Sequence, residues 1–236
     1  MINLSIVMAY YENGGMLDRH TDEWSQYDQV YKDKLKVIIV DDGSPDDPAI
    51  NHIKDVGFPI SLFRIKQDIP WNQNGARNLG MTHVNEGWVL LTDMDHLLPS
   101  HQVKNIIESK WDKKFVYKPL RKKVDGSPYK RHPNTYLITK DMYWNAGGYD
   151  ETYSGYYGTD STFRRQINRK AQLLETDLFH VVLYGRSDIP DASTNPERYG
   201  RKGTKYHLVK NKMLRKRRKE MPSPIKPLNF EWEKLI

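Results

Sequence analysis

Cysteine is absent from this sequence of 236 residues. Its absence excludes disulfide bonds, thiolate metal sites and cysteine nucleophiles, and it leaves the redox compartment open. Long apolar runs are missing as well, since none approaches the roughly 20 residues that a membrane-spanning helix needs. Residues 1–7 lack the basic start and the long apolar stretch of a signal peptide. We therefore expect a cytoplasmic protein without a transmembrane segment.

The charge balance of the chain is positive. Charged residues make up 28% and hydrophobic residues 38% of the sequence, which is typical of a rather polar globular protein with one substantial domain. The formal net charge is +7, and one strongly basic run, KNKMLRKRRK, lies at residues 210–219. Such a run can hold a polyanion such as DNA, or make peripheral contact with an acidic membrane surface. A solvated helix face or a frayed tail explains it equally well.

Strand and helix patterns alternate along the first half of the chain. Short apolar runs predict strands at residues 4–9, 35–40, 60–65 and 88–92. The segments between them favour helices at residues 18–34, 48–56 and 75–85. This alternation predicts an α/β fold with a mainly parallel central sheet flanked by helices.

The second half is less regular. We expect strands at residues 115–119, 135–139 and 178–184, and helices at residues 140–145 and 160–170. The polar, proline-containing segment 185–203 is expected to be a mobile loop. Phe230 and Trp232 are expected to pin the C-terminus back onto the domain.

Two acidic clusters each follow a predicted strand directly. Asp41 and Asp42 follow the second strand, and Asp93 and Asp95 follow the fourth. Because ligands of such sheets bind beyond the carboxyl ends of the strands, both clusters are expected to meet at one sheet edge. Carboxylate pairs of this kind suit Mg²⁺ or Mn²⁺ bridged to phosphates, although acidic residues after strands are also common turn formers.

Four motifs occur in an order that carries a family resemblance. They are SIVMAYY (5–11), VDDGS (40–44), GARNLG (75–80) with TDMD (92–95), and NAGGYDE (145–151) with GTD (158–160). The ordered set resembles the inverting GT-A glycosyltransferases of family 2 and the related β-1,4-galactosyltransferases. The resemblance covers about residues 4–165.

The resemblance implies a binding site for a nucleotide-sugar donor. Asp42 matches the carboxylate that bonds the donor base, usually uracil, and Tyr11 would help to hold that ring. Ala9 and Asp41 belong to the same expected site, and Gly148 would lie under the donor sugar. Asp41 and Asp42 are otherwise explained as turn and N-cap residues, and Gly148 as a helix C-cap.

The resemblance also implies a metal centre. Arg77 would lie near the donor phosphates, unless it is a structural ion-pair partner. Asp93 would touch the ribose and the metal, and Asp95 would ligate Mn²⁺ or Mg²⁺ directly. His180 is the preferred third ligand, with His207 and His96 as alternatives.

Asp160 matches the catalytic base of the family, although it could simply cap the helix that it begins. The family usually has an acid before this base, and here Thr159 takes that place. Ser161 and Thr162 replace further acids common in the galactosyltransferases, so the resemblance does not indicate which sugar is bound. A nearby set of aromatic residues is expected either to stack on an acceptor or to be plain core: Tyr153, Tyr156 and Tyr157.

Together these observations predict a single GT-A (Rossmann-like) domain at residues 1–204, with a nucleotide-binding half (1–98) and an acceptor and catalytic half (99–204). Residues 205–236 would form a basic C-terminal extension. The leading hypothesis is metal-dependent, inverting transfer from a UDP-sugar to a saccharide hydroxyl. A second hypothesis has a modified DNA base as acceptor, held through the basic segment. A third is a non-catalytic nucleic-acid-binding module, which would not need the four aspartates.

Overall fold

The computed structural model describes residues 1–154, 160–190, Lys212, Lys216 and 229–236. Within this part of the chain, one sheet contains all the strands, in the order β10-β3-β2-β1-β4-β8-β6-β9-β5 with β7 paired to β6. The strands are β1 (Leu4–Tyr10), β2 (Leu35–Asp41), β3 (Ile60–Ile65), β4 (Trp88–Asp93), β5 (His96–Leu97), β6 (Phe115–Lys123), β7 (Pro128–Tyr129), β8 (Tyr136–Thr139), β9 (Gln172–Leu183) and β10 (Trp232–Lys234).

The sheet is parallel in its N-terminal half and mixed in its C-terminal half. Strands β3, β2, β1 and β4 all run in the same direction. Strand β8 is antiparallel to both β4 and β6, whereas β6 and β9 are parallel. Strands β5 and β10 are antiparallel additions at the two edges. The predicted α/β class is thus confirmed.

Helices cover both faces of the sheet. They are α1 (Gly14–Ser25), α2 (Gln29–Lys32), α3 (Gln73–Thr82), α4 (Ser100–Glu108), α5 (Lys140–Asn145) and α6 (Asp160–Lys170), with short 3-10 turns at Ala49–His52 and Glu151–Tyr153. Among the described residues, no helix has both the length and the apolar character needed to cross a bilayer.

Side chains alternate between two cores along the buried strands. On β1, Ile6 and Met8 pack into the core that includes Leu17 of α1. Val7 points to the opposite core, which includes Leu79 of α3. Burial on both faces explains why the parallel strands read as continuous apolar runs in the sequence.

The structure differs from the predicted elements at two places. The expected helix at residues 48–56 is only the 3-10 turn Ala49–His52, because Ile53 is already extended at ψ 124° and His52 is bound between Asp18 and Asp47. Helix α4 was not predicted, although Val103, Ile106 and Ile107 have the spacing of a buried helical face.

The C-terminus packs against the domain, as the two aromatic residues predicted. Strand β10 pairs with β3, and Trp232 contacts Phe63 edge-on. Phe230 is buried and packs in the same core as Leu79. Most of residues 191–228 lie outside the described part, as does much of the basic run, so the domain boundary at residue 204 stays a prediction.

Candidate active site

The strand ends that carry the acidic residues lie side by side. Ala9 of β1 pairs with Asp93 of β4 on one side and with Val40 of β2 on the other. The next residue of β1, Tyr10, pairs with Asp41. The parallel register therefore brings both acidic clusters to the same edge of the sheet, as their positions after strands predicted.

Arg77 and Asp93 form a buried ion pair. Arg77 lies on α3 with its side chain fully buried, and it donates from a guanidinium nitrogen to Asp93 Oδ1. The guanidinium also lies over the ring of Tyr149, 4.9 Å from its centroid. Burial opposes ionisation of Asp93, but Arg77 first and then His132 and His96 bring its pKa down to about 2. Asp93 is therefore a carboxylate at physiological pH.

Asp93 belongs to a cluster that could hold a metal ion. Ligand atoms of Asp93, His96 and His132 all lie within 4.8 Å of one another. His132 Nε2 is 3.5 Å from Asp93 Oδ2, and the two imidazole rings are 4.4 Å apart. Burial, the largest cause, lowers the pKa of His132 to about 4, so this ring is neutral at pH 7. A carboxylate beside the neutral imidazole of His132 suits a divalent transition metal such as Mn²⁺.

His132 was not among the metal ligands expected from the sequence. This residue lies in the loop between β7 and β8, far along the chain from Asp93, and only the fold brings the two together. Its Nδ1 accepts a hydrogen bond from the Asn134 main-chain N–H at 3.3 Å. That bond leaves the ring proton on Nε2, facing Asp93, so binding a cation through Nε2 requires the proton to leave that atom.

Asp95 adjoins the cluster through His96. Asp95 Oδ1 lies 3.0 Å from His96 Nδ1, and Arg121 donates to His96 Nε2 at 3.1 Å. Since the arginine must be the donor, a neutral His96 carries its proton on Nδ1, although the geometry at Asp95 Oδ1 is not that of a hydrogen bond. The Asp95 side chain is 38% exposed, so the rest of its carboxylate faces solvent and is available to a cation.

A buried histidine supports the turn between the two carboxylates. His20 on α1 is fully buried, and its Nε2 donates to the main-chain oxygen of Met94 at 2.8 Å. Burial lowers the pKa of His20 to about 4. The neutral ring therefore acts as a fixed donor that holds the residue between Asp93 and Asp95.

Asp41 uses its carboxylate within its own turn. Its two oxygens accept the main-chain N–H groups of Ser44 at 2.8 Å and Ala49 at 3.0 Å. Burial raises the pKa of Asp41, and these N–H groups oppose that shift. The contacts thus show Asp41 as a turn-forming residue. A direct contact between Asp41 and the nucleotide-sugar donor stays a prediction.

Asp42 is linked to a partner that the motifs did not reveal. Asn72 donates to Asp42 Oδ1 at 2.9 Å and accepts from the Ser154 hydroxyl at 2.6 Å. Burial raises the pKa of Asp42 well above its ordinary value. The preceding residue, Trp71, has a φ of 52°, a left-handed conformation that is costly for a tryptophan and often marks a functional site.

The loops after β1 and β2 are bonded to each other. The Glu12 main-chain N–H donates to Ser44 Oγ at 3.0 Å, and its carboxylate accepts the N–H groups of Asp46 and Asp47. Tyr11, on the same loop, donates its hydroxyl to Asp68 at 3.1 Å. The two loops expected to hold the donor base therefore form one unit.

The Gly147–Gly148 pair ends α5. Gly147 and Gly148 have φ values of 97° and 61°, and their N–H groups bond Trp144 and Tyr143 oxygens. A Cβ on Gly148 would lie 3.0 Å from Asn78 Oδ1. This is the C-cap geometry, in which glycine is favoured. Contact of Gly148 with a donor sugar stays a prediction.

Asn78, next to Arg77, organises the segment after those glycines. Its amide nitrogen donates to the Tyr149 carbonyl at 2.7 Å and to Glu151 at 2.8 Å. Its oxygen accepts from the Tyr143 hydroxyl at 2.5 Å and from the Tyr149 N–H at 2.9 Å. One helix thus ties Asp93, through Arg77, to the segment that leads toward Asp160.

The structure places His180 away from the three-residue cluster. Its ring lies 5.6 Å from that of His101 on α4, and its N–H donates to Gln102. Leu183, three residues further along β9, pairs with His96. Side chains alternate along a strand, so His180 and His96 point to opposite faces. His180 as a metal ligand stays a prediction.

Several of the remaining candidates lie outside the described residues. Asp160 begins α6, but its side chain is not among the described groups. Tyr156, Tyr157 and His207 are outside the described part of the chain altogether. Tyr153 is buried, as expected of a core residue.

Comparison with known proteins gives a family and a fold. The model of the family described as Glycosyl transferase family 2 matches residues 5–172. A search of curated proteins finds no match. Among solved structures, TarS of S. aureus (residues 1–349) is similar with a TM-score of 0.64 at 14% identity, over 79% of this chain and 62% of that one. Another TarS structure is a complex with UDP-GlcNAc.

Two further structures share the fold. A mannosyltransferase from Pyrobaculum calidifontis, in complex with GDP-Man and Mn²⁺, has a TM-score of 0.60 at 14% identity over 91% of this chain and 64% of that one. GalNAc-T7 with UDP, GalNAc and Mn²⁺ has a TM-score of 0.60 at 15% identity over 97% of this chain and 53% of that one. The chain thus spans less than two thirds of each of these structures, and the likeness shows the fold alone.

Proposed function

The chain belongs to glycosyl transferase family 2, and on that premise we propose that it is a metal-dependent, inverting glycosyltransferase that uses a nucleotide-diphosphate sugar. The observation that carries this proposal is the buried Arg77–Asp93 pair beside His132 and His96 at the carboxyl edge of the sheet. A carboxylate that stays ionised at this edge can bind a divalent cation together with a diphosphate. An ion pair with a purely structural role would require neither ligand.

The residues present fit such a cation. Asp93 and Asp95 offer carboxylate oxygens, and His132 and His96 would offer imidazole nitrogens once the cation displaces the Nε2 proton of His132 and the Arg121 bond to His96. When bound, the cation would offset the charge that builds on the departing diphosphate. Arg77 keeps Asp93 ionised, and His20 fixes the turn that carries Asp95.

Proton removal from the acceptor is assigned to Asp160 by the family motif. As the acceptor oxygen attacks the anomeric carbon, its proton passes to the Asp160 carboxylate and the bond to the diphosphate breaks. The Asn72–Ser154 bond joins the Asp42 region to the segment before α6, so donor and acceptor sides are mechanically linked.

We propose that the base of the nucleotide-sugar donor is uracil. Asp42 lies at the end of β2 with Asn72 beside it, and an amide and a carboxyl oxygen together can match the donor and acceptor edge of that base. The TarS complex with UDP-GlcNAc and GalNAc-T7 with UDP support this choice. The mannosyltransferase bound to GDP-Man makes guanine the alternative outcome.

A thermal-shift screen tests the donor and the metal together. We expect UDP-sugars with Mn²⁺ to raise the melting temperature, because a ligand that binds only the folded state stabilises it. Asp95→Ala should abolish the Mn²⁺-dependent part of the shift, whereas Asp28→Asn, a change at an exposed aspartate of α2's N-cap, should preserve it. Equal shifts in wild type and Asp95→Ala would remove Asp95 from the metal site.

A second experiment tests the base. Asp160→Asn should lose transfer by about 100-fold or more while the donor-induced thermal shift is retained. Full transfer activity in this variant would exclude Asp160 as the base. The acceptor expected from the family is a saccharide hydroxyl. A nucleic-acid acceptor is the second candidate, and a basic hairpin beside the metal cluster favours it.

A further inference from the structure

A cationic hairpin borders the cluster of Asp93, His96 and His132. We define the cationic hairpin as residues 118–131, the end of β6, the turn and β7 with the residues after it. Its basic side chains are Lys118, Arg121, Lys122, Lys123, Lys130 and Arg131, against one acidic residue, Asp125. None of the motifs described above includes this segment. The roles that the family resemblance gives to individual residues therefore do not explain its positive charge.

Strand register sorts these side chains into two faces. Arg121 pairs with Val181 of β9 and with Tyr129 of β7, and it bonds His96. Side chains at every second position share a face, so Lys123 lies on the same face as Arg121. Lys122 lies on the opposite face, where it interacts with His180. The hairpin therefore has a site-facing side and a far side.

Tyr129 forms an aromatic surface on the site-facing side. Its side chain is 39% exposed, with the Arg121 guanidinium 4.7 Å and the Lys123 ammonium 5.5 Å from the ring centroid. Only two residues separate this ring from Asp95: Arg121 packs on the ring and bonds His96, and His96 contacts Asp95. An aromatic ring held by cations thus lies beside the candidate metal site.

Lys118 does not belong to this side, because it lies an odd number of residues from Arg121 along β6. It pairs with Glu175 of β9 and is half-buried. Burial lowers the pKa of Lys118, Glu175 opposes that shift, and Arg164, Arg131 and Arg121 add to the lowering. Lys123 is therefore the exposed cation that lies beside the Tyr129 ring.

Cations flanking an exposed aromatic ring match the chemistry of a nucleic-acid strand. Every base has a face that can stack on tyrosine, and phosphates on either side can meet lysines. A neutral saccharide would also stack on Tyr129, but it has no charge to meet Lys123 beside the ring. A base within a duplex could not reach the ring without leaving its stack, so a single strand or an extruded base fits.

We propose that the site-facing side of the cationic hairpin docks a nucleic-acid strand that carries the acceptor hydroxyl, with a base on Tyr129 and a phosphate at Lys123. This inference rests on the proposed function for the meaning of the hydroxyl. The hydroxyl oxygen would form the bond to the anomeric carbon, its proton would go to Asp160, and the nucleoside diphosphate would leave.

Fluorescence anisotropy with a labelled single-stranded oligonucleotide tests the docking surface. We expect Tyr129→Ala to weaken binding by about 5-fold to 100-fold, and Tyr129→Phe to bind as wild type does, because phenylalanine keeps the stacking face. Lys123→Gln should reduce the slope of log affinity against log salt by about 0.7, the contribution of one phosphate contact on a single strand.

Lys122→Gln is the matched control, with the same charge change one residue away on the far side. Its salt slope and affinity should stay close to wild type. Equal effects of Lys122→Gln and Lys123→Gln, or unchanged binding by Tyr129→Ala, would overturn the proposal. Equal competition by inorganic polyphosphate in wild type and Tyr129→Ala would overturn it too, because it would reveal a general polyanion surface.

A donor titration in the same preparations separates this inference from the proposed function. Thermal shift with UDP-sugars and Mn²⁺ reports the donor site, and it should be unchanged in Tyr129→Ala and Lys123→Gln. Donor binding without oligonucleotide binding refutes the docking surface alone. Oligonucleotide binding with no shift from any nucleotide sugar refutes the transferase proposal and, with it, the acceptor role of the strand.

Discussion

His20 on α1 donates its Nε2–H to the main-chain oxygen of Met94, the residue between Asp93 and Asp95. A helix on one face of the sheet thus fixes the turn that carries both carboxylates. His20 touches no expected substrate atom, so its effect on activity is a positioning effect.

Loss of this bond should weaken the response to metal. We expect His20→Ala to raise the Mn²⁺ concentration for half-maximal activity by about 10-fold, because a buried carbonyl loses its donor and the turn relaxes. His20→Gln, which keeps a donor, should recover part of the loss. The measurement is activity against Mn²⁺ concentration, and a lowered melting temperature with unchanged metal dependence would show a purely structural role.

Breaking the Arg77–Asp93 pair should destabilise the fold. Arg77→Met leaves the Asp93 carboxylate buried without its main partner, which costs about 3–5 kcal/mol of unfolding free energy. Arg77→Met combined with Asp93→Asn should recover much of this loss, because the uncompensated charge is gone. Urea denaturation of the single and double variants measures both values, and additive losses would contradict the pairing.

Asn78 should be intolerant of change, since it makes four hydrogen bonds in a buried position. We expect Asn78→Asp to cost about 2–4 kcal/mol of stability, because a carboxylate cannot donate to Glu151 and repels it. Asn51→Asp on the exposed surface serves as the control and should change stability by less than about 0.5 kcal/mol. Chemical denaturation distinguishes the two variants.

The His52 contacts predict a pH dependence of stability. Burial lowers the pKa of His52, but its bonds to Asp47 at 2.6 Å and Asp18 at 3.0 Å outweigh that and raise it. Lys54, which pairs with Asp18 and Asp22, is the other charged group at this site.

Because the folded pKa lies above the ordinary 6.5, the stabilisation is complete below that pH and disappears as pH rises through the folded value. We expect the melting-temperature advantage of wild type over His52→Asn to shrink as pH rises above the ordinary histidine pKa of 6.5. Parallel melting curves for the two proteins at every pH would exclude this contribution.

The sequence predicted the parts of the site that lie next to strand ends. Asp42, Asp93 and Arg77 belong to motifs with fixed spacing, and parallel strands must bring their carboxyl ends together. Asn78 adjoins Arg77 in its motif, but only the hydrogen bonds show what it does. The other half of the site depends on long-range pairing, which periodicity along one sequence does not show.

His132 illustrates this limit. A histidine in a polar loop looks like any other, and it reaches Asp93 only because β8 is inserted beside β4. The preference for His180 as third ligand came from its place in a strand, yet strand alternation points it to the opposite face from His96. The sequence did not indicate a binding role for Tyr129 either, since that role depends on its cross-strand pairing with Arg121.

Strand β10 closes the chain back onto the sheet edge, with Phe230 packed where a Cβ on Gly75 would otherwise lie. This strand also covers the outer edge of β3, so its removal would leave an unpaired strand edge that is open to pairing with a second chain.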